Sequence, residues 1–329
     1  MISIFIPTYN SSDKLSETLE SILSQSYKDF EVLCVDDGST DSTPESLDRY
    51  AIMDSRIKVF RKENQGCVPF SWNYVIPHIT GDFTLYMSHD DILGADALMN
   101  LVKCFNNDDS IDCVIPKVTF FENILDNPEK KYDNINTKYS TNIGKIMSGR
   151  EAFLQMVDYS IPGFGLWRTS IIRNYGVPTT SFNSDEFSQR LWIKNCRKVY
   201  FSDATFGYRQ SPISIVKGFK PHHIFSLDTN LRLYKEICKI QDFPIGKKNE
   251  MKYFYFQSLF YLTIKYKIHR KSFNNFEQSN LKNLINESYQ LYTNTPHNPN
   301  TIKDYCYKLM SSHKFVFRII TTLRSWIIR

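Results

Sequence analysis

No Cys-x-x-Cys pair occurs anywhere in the 329 residues. The seven cysteines, Cys34, Cys67, Cys104, Cys113, Cys196, Cys238 and Cys306, are scattered and odd in number. That spacing argues against a disulfide framework or a zinc site, and for a reducing compartment. No apolar run reaches the ~18 residues of a membrane span. No basic n-region or cleavage site precedes Ile2–Ile6, so no signal peptide is predicted. Internal repeats and low-complexity tracts are absent as well. No Gly-x-Gly-x-x-Gly follows the first apolar stretch, which argues against a dinucleotide oxidoreductase. What does follow it, Pro7-Thr8-Tyr9-Asn10, is neither Gly-rich nor basic, unlike the loop a nucleotidyltransferase needs.

Tyrosine and phenylalanine are plentiful, at 20 and 24 residues. The length allows one large core, or one domain with an appendage. A net charge of +5 hides an asymmetry. Residues 1–120 hold nine Lys and Arg against nineteen Asp and Glu, whereas residues 121–329 hold thirty-one against sixteen. The acidic part suits a metal-assisted site. The basic part suits an anionic partner such as a diphosphate or a phospholipid surface, or simply a solvated helical face.

Short apolar runs alternate with helical patterns over the first ~115 residues. Ile2–Ile6 reads as a strand ended by Pro7. Asn10, Ser11 and Ser12 are candidate caps for a helix carrying Leu15, Leu19, Ile22 and Leu23. Glu31–Val35 reads as a second strand, running into Asp36-Asp37-Gly38-Ser39-Thr40-Asp41. Asp41 or Ser42 caps the helix through Leu47 and Tyr50. Ile57–Phe60 is a third strand, Asn64-Gln65-Gly66 a turn, and Phe70–Val75 helical. Phe83–Met87 reads as a buried strand that ends in Ser88-His89-Asp90-Asp91. Ala95–Phe105 is the next helix and Cys113–Pro116 the next strand. This alternation predicts a mostly parallel α/β sheet. Ligands bind beyond the carboxyl ends of such strands. Three of those ends carry polar clusters rich in carboxylates, so a nucleotide could lie across them. Two adjacent carboxylates repel unless something compensates. A hard divalent cation carrying a phosphate would do so. A solvated turn with Asp91 or Asp96 capping the next helix is the structural alternative.

Taken in order, Pro7-Thr8-Tyr9-Asn10, Val35-Asp36-Asp37-Gly38-Ser39-Thr40-Asp41, Asn64-Gln65-Gly66 with Trp72-Asn73, Thr80-Gly81-Asp82 and Ser88-His89-Asp90-Asp91 resemble family 2 glycosyltransferases. Those are inverting, nucleotide-sugar-dependent enzymes of the GT-A fold. The likeness covers residues 1–120 well and 150–215 more loosely. It implies a nucleotide site of Pro7, Thr8, Tyr9, Asn10, Asp36, Asp37, Gly38, Ser39, Asn64, Gly66, Asn73, Ser88 and Arg209. Asp90 and Asp91 match the metal-binding Asp-x-Asp region and would take Mn²⁺ or Mg²⁺. Ser88 departs from the usual first Asp, which suits ribose or phosphate better than metal. His89 is a weak further ligand candidate. Trp72 stands where many relatives have an Arg that neutralises phosphate. Arg209 is the candidate replacement, with Lys217, His222 and His223 behind it. Asp185, at the start of a helical stripe with Phe187 and Leu191, matches the family's general base, and Glu186 is the second choice. Ser184 replaces the preceding Glu. The loop Ile161–Arg168 could flank sugar or acceptor, or line the core.

The implied organisation is a catalytic domain over 1–218 and a helical C-terminal region over 219–329. Within the first, 1–120 would be the nucleotide-sugar half and 121–218 the acceptor half. The implied reaction is metal-dependent transfer of a hexose or N-acetylhexosamine, UDP-linked by expectation. The acceptor would be a hydroxyl of a saccharide or lipid-linked saccharide in bacterial surface polysaccharide synthesis. An inactive nucleotide-sugar-binding or scaffold subunit is the alternative. The chain's end, Lys314–Arg329, mixes apolar groups, Arg and a Trp. It suits an interfacial amphipathic helix or packing on a partner subunit, with an oligomer left open. The expected location is cytoplasmic, with peripheral contact at the inner face of the plasma membrane. Nucleic acid is not an expected partner.

Overall fold

The computed structural model describes residues 1–121, 142–157, 161–178, 182–210, 219–293 and 302–327. They form two compact units, one of residues 1–179 and 188–215, the other of 180–187 and 216–329.

The first unit holds the sheet. Its elements are β1 (Ile2–Thr8), α1 (Leu15–Leu23), β2 (Phe30–Asp36), α2 (Thr43–Met53), β3 (Ile57–Arg61), α3 (Val68–Val75), β4 (Phe83–Tyr86), β5 (Ile92–Leu93) and α4 (Ala97–Asn107). There follow β6 (Ile111–Phe121), β7 (Ile146–Ser148), α5 (Gly149–Met156), β8 (Leu166–Arg168), α6 (Thr169–Tyr175), α7 (Ser184–Lys194), whose first turn falls in the second unit, and β9 (Lys198–Arg209). Among the described residues the strand order is β3-β2-β1-β4-β8-β6-β9-β5, with β7 also on β9. The first four strands run parallel. Strand β8 runs against both β4 and β6. The sheet is thus mixed beyond β4, because the chain returns through short antiparallel strands there.

Side-chain alternation along β1 separates two cores. Ile2, Ile4 and Ile6 share one with Val32 and Cys34 of β2 and with Leu15, Leu19 and Ile22 of α1. Phe5, on the other face, meets Trp72 of α3 at 4.5 Å between ring centroids. Trp72 also meets Tyr86 at 5.3 Å and Trp192 at 5.5 Å. It is 2% exposed and packs in this core.

Three local expectations give way to geometry. Pro7 does not end β1, which runs on to Thr8. Phe5 accepts from the N–H of Met87, and Pro7, two residues on, faces that same side, where β4 has already ended at Tyr86. Its missing N–H therefore costs no ladder bond. Asn10 does not cap α1, since no side chain does. Strand β6 also runs past Pro116 to Phe121, with a register irregularity between Ile115 and Lys117.

The second unit is helical. It contains α8 (Ser226–Lys239), α9 (Ile245–His269), α10 (Asn275–Tyr292), α11 (Ile302–Ser312) and α12 (Lys314–Ile327). Phe256, Tyr289 and Phe317 pack at the junction of α9, α10 and α12. Tyr234, Tyr255 and Tyr292 form a second aromatic group, their centroids 5.3–5.9 Å apart. Among the described residues no helix is long and apolar enough to cross a membrane.

Candidate functional site

The carboxyl ends of β1, β2, β3 and β4 lie along one edge of the parallel part of the sheet, as right-handed crossovers require. Thr8 is paired with Asp36 across β1 and β2, and the N–H of Asp37 donates to the Thr8 carbonyl at 2.9 Å. Asn10 adopts a left-handed φ of 46°. Its N–H donates to Ser39 Oγ at 2.9 Å, and its Oδ1 accepts from the Thr40 N–H at 2.8 Å. The residue expected to start a helix instead ties the β1 loop to the β2 loop. Tyr9, beside it, is exposed.

Asp36 is turned into its own loop. Its Oδ1 accepts from the Ser39 N–H at 3.1 Å and from Ser39 Oγ at 2.6 Å. Asp37 forms an ion pair with Lys62 and accepts from the Gln65 N–H at 3.1 Å. Lys62, just past β3, is only 8% exposed in its side chain. Sequence reasoning did not single it out, although a lysine at the one strand end without a carboxylate cluster was the available signal. Gly38 has a φ of 73°, and a Cβ there would press on the Asn64 backbone nitrogen at 3.0 Å. Asn64 Oδ1 accepts from the Gly66 N–H at 2.7 Å, closing the turn that Gly66 makes at a φ of 71°. Asn73 stands apart from this group. Its amide donates to the Val177 carbonyl at 2.7 Å, tying α3 to the segment after α6.

At the end of β4, Asp91 is fully buried. Its Oδ2 accepts from the Ser88 N–H at 3.2 Å and its Oδ1 from the Arg209 N–H at 3.1 Å. Burial, and secondarily the charge of Asp90, push its carboxyl well above the usual range, although the two N–H donors oppose this. Asp91 was expected to share a cation with Asp90. Here it braces the turn and presents no oxygen to solvent. Asp90 is half-buried, as are Ser88 and His89 beside it. The loop is braced again by Thr18, whose hydroxyl donates to the His89 carbonyl at 2.7 Å, and by Gln25, which reaches the Gly94 carbonyl at 2.8 Å.

Arg209 is committed as well. Its side chain is 3% exposed, and it forms an ion pair with Glu17. Its Nε donates to the Asp90 carbonyl at 2.7 Å, and its guanidinium lies over Phe121 at 4.3 Å. The expected phosphate cation thus holds the Asp90–Asp91 turn to α1. Periodicity alone gave no signal for Glu17, because its partner is 192 residues away.

Asp185 and Glu186 occupy the first turn of α7, where the helix dipole favours a carboxylate. That turn belongs to the second unit. There Phe182 stacks on His223 at 4.4 Å and meets His222 at 5.2 Å. Burial and the neighbouring His223 lower the pKa of His222. Lys217, and most of the 122–148 excursion, lie outside the described residues.

Among the described residues no three His, Cys, Asp or Glu side chains converge as a metal cage. One half-buried carboxylate, Asp90, near a half-buried hydroxyl, Ser88, fits a divalent cation that takes its other ligands from a diphosphate and water, as Mg²⁺ commonly does.

A strand-end shelf of this kind on a mixed sheet is the GT-A arrangement. A model of the family described as "Glycosyl transferase family 2" matches residues 3–173, and the chain belongs to that family. Among curated proteins, glycosyltransferase GlyG of Streptococcus pneumoniae is 34% identical over 115 residues, 35% of this chain and 38% of that one. Poly(ribitol-phosphate) beta-glucosyltransferase of Bacillus spizizenii is 35% identical over 120 residues, 36% of this chain and 19% of that one. These matches span well under half the length of either relative. Among solved structures, S. aureus TarS 1–349 in complex with UDP superposes with a TM-score of 0.59 at 18% identity, covering 96% of this chain and 82% of that one. PcManGT from Pyrobaculum calidifontis, in complex with GDP-Man and Mn²⁺, gives 0.52 at 14% identity, covering 98% and 86%. At such identities the likeness establishes the fold.

Proposed function

We propose that the protein is an inverting glycosyltransferase. It moves a hexose or N-acetylhexosamine from a UDP-sugar to a hydroxyl of a saccharide or lipid-linked saccharide in bacterial surface polysaccharide synthesis. The observation that carries this reading is the convergence of the β1, β2 and β4 ends, with Asp36, Asp37 and Asp90, in a chain of family 2. The TarS complexes with UDP and UDP-GlcNAc support a UDP donor. The Mn²⁺ complex of PcManGT supports a divalent metal.

In this reading Tyr9 and Asp37 hold the base and ribose, with Ser39 and Gly38 shaping their loop. Asp90 would hold Mn²⁺ or Mg²⁺ against the diphosphate, with the Ser88 hydroxyl on ribose or phosphate. That cation would offset the charge of the departing nucleoside diphosphate. The acceptor hydroxyl attacks the anomeric carbon from the face opposite the leaving group, giving one displacement and one inversion. Asp185 takes the hydroxyl proton, worth roughly 10²–10⁴-fold for a positioned base. Glu186 is the alternate base. The protein works in the cytoplasm, in peripheral contact with the membrane that carries the acceptor.

The test is nucleotide release from a panel of UDP-, GDP- and dTDP-sugars with Mn²⁺ or with EDTA. Metal-dependent UDP release from one sugar is expected. No nucleotide binding under any condition would overturn the reading. The serines at 88 and 184, where the family pattern has carboxylates, favour a second reading, an inactive binding subunit. Asp185→Asn separates the two. If it binds the donor normally and loses turnover, the enzyme reading stands.

A further inference from the structure

We propose that the outer face of α12, together with the basic groove beside it, docks on an anionic phospholipid bilayer. This deepens the peripheral contact of the proposed function and rests on that reading only for its purpose.

Helix α12 has two faces. Phe317, Thr321 and Ser325 recur at helical spacing and are buried in the second unit. The opposite face is exposed yet apolar. Phe315 is 74% exposed, Ile319 42%, Leu323 49%, Trp326 66% and Ile327 82%. Steps of three and four residues place these five along one stripe. A helix that already has its packing face has no folding reason for a second apolar one. Scattered exposed hydrophobics need no explanation, but a contiguous stripe does.

Charge states what covers it. Arg318 and Arg324 flank the stripe on either side by helical geometry. No acidic residue follows Asp304 in the sequence. Beside Trp326 lies a groove of about 480 Å³, lined by Lys267, Arg270, Lys271, Gln278 and Ser325 among others. Lys267 is partly spent on α12, donating to Thr321 Oγ1 at 2.8 Å and Thr322 Oγ1 at 2.6 Å. Burial lowers its pKa. Arg270 and Lys271 are exposed. The nearby acid Glu277 is engaged in capping, its carboxylate accepting from the Asn274 N–H at 2.9 Å. An apolar stripe edged by arginines, with a tryptophan beside a cationic groove, matches an interfacial helix seated at the level of anionic headgroups. A protein partner would have to present both an apolar ridge and acidic groups. A bilayer offers both by default.

The molecule carries its own probe. Of its four tryptophans, Trp72, Trp167 and Trp192 are at most 2% exposed, so Trp326 alone faces solvent. The full chain is titrated with vesicles of phosphatidylcholine alone, or with about 30% phosphatidylglycerol. Tryptophan emission and co-sedimentation are read together. The expected result is binding with a blue shift on the anionic vesicles only, weakened by added salt. Ile319→Ser with Leu323→Ser should remove the blue shift. Arg270→Glu with Lys271→Glu should weaken binding roughly tenfold or more, since each cation near such a surface contributes appreciably. Both pairs alter exposed positions, and unchanged circular dichroism and UDP release confirm intact variants. Absent vesicle binding, or binding indifferent to both pairs, overturns the proposal. So does a dimer that Ile319→Ser with Leu323→Ser abolishes, because a second copy would then be the occupant. If vesicles bind as expected while no nucleotide does, the transferase reading fails and the docking surface stands.

Discussion

Asp90 and Asp91 are neighbours in sequence and opposites in environment. One is half-buried at the strand end. The other is fully buried under two backbone N–H groups. Asp90→Ala should therefore leave the melting temperature nearly unchanged and lower metal-dependent UDP release on the order of a hundredfold or more. Asp91→Ala should fail differently. It leaves buried N–H groups without an acceptor, costing roughly 1–3 kcal/mol each, and it shows first as a lower melting temperature. Asp41 gives a pH signature. Burial alone would raise its carboxyl, but hydrogen bonds from Thr43 and Ser12 outweigh that and hold it at about 2. The folded value lies below the unfolded one, so the unfolded chain binds more protons between the two. The stabilisation is present above about pH 4 and disappears as pH falls toward 2. Asp41 is not the cap of α2, but it accepts from the Ser12 and Thr43 N–H groups. Asp41→Asn takes the charge from that acceptor and should cost about 1 kcal/mol at pH 7. Chemical denaturation across pH 7 to 3 should show the gap between the two proteins closing. A constant gap would mean that the carboxylate charge plays no part.

Among the elements, α5 and α7 fit with no room to spare. A Cβ on Gly149 would overlap the carbonyl oxygens of Ile193 and Cys196. Backbone cannot step aside as a side chain can. Gly149→Ala should thus destabilise by at least the ~1–3 kcal/mol of ordinary overpacking, seen as a melting point lower by several degrees. Trp72 makes the converse case in α3. Its rings touch Phe5, Tyr86 and Trp192, so Trp72→Ala empties the centre of that core and should cost about 3–5 kcal/mol. Restoring the family's arginine there would bury an unpaired charge and should be no better tolerated. Such elements were largely legible beforehand. Apolar spacing marked α1, α2 and the strands β1 to β4 to within about two residues, because each must present one face to a common core. What misled was the reading of Pro7 and Asn10 as local punctuation. Whether a proline ends a strand depends on where the neighbouring strand stops, which is not local information.

For the molecule as a whole, the seven cysteines give a direct check. All are free. Cys238 and Cys306 are exposed, whereas Cys34, Cys113 and Cys196 are buried. Burial pushes the Cys34 thiol up to about 12. Ellman's reagent should modify two thiols quickly, Cys67 and Cys104 more slowly, and the other three only on unfolding. A reductant should leave the melting temperature unchanged. A rise in fast-reacting thiols after reduction would reveal a disulfide and contradict the free-thiol structure. At this scale the sequence by itself determined the alternation of strands and helices, and the chemical character of the shelf at their ends. Both follow from short-range rules, the period of apolar residues and the turn chemistry of Asp, Gly and Asn. Only the tertiary structure decided which of those groups still face outward. Asp91 and Arg209 have the residue types of a cation site and a phosphate clamp. Asp91 instead accepts from the Arg209 backbone, and the Arg209 side chain is engaged with the Asp90 carbonyl and with Glu17, through contacts that cross up to 192 positions of chain. Residue type sets what a side chain can bind. Burial and prior partners, which only the folded chain supplies, set what it has left to bind with.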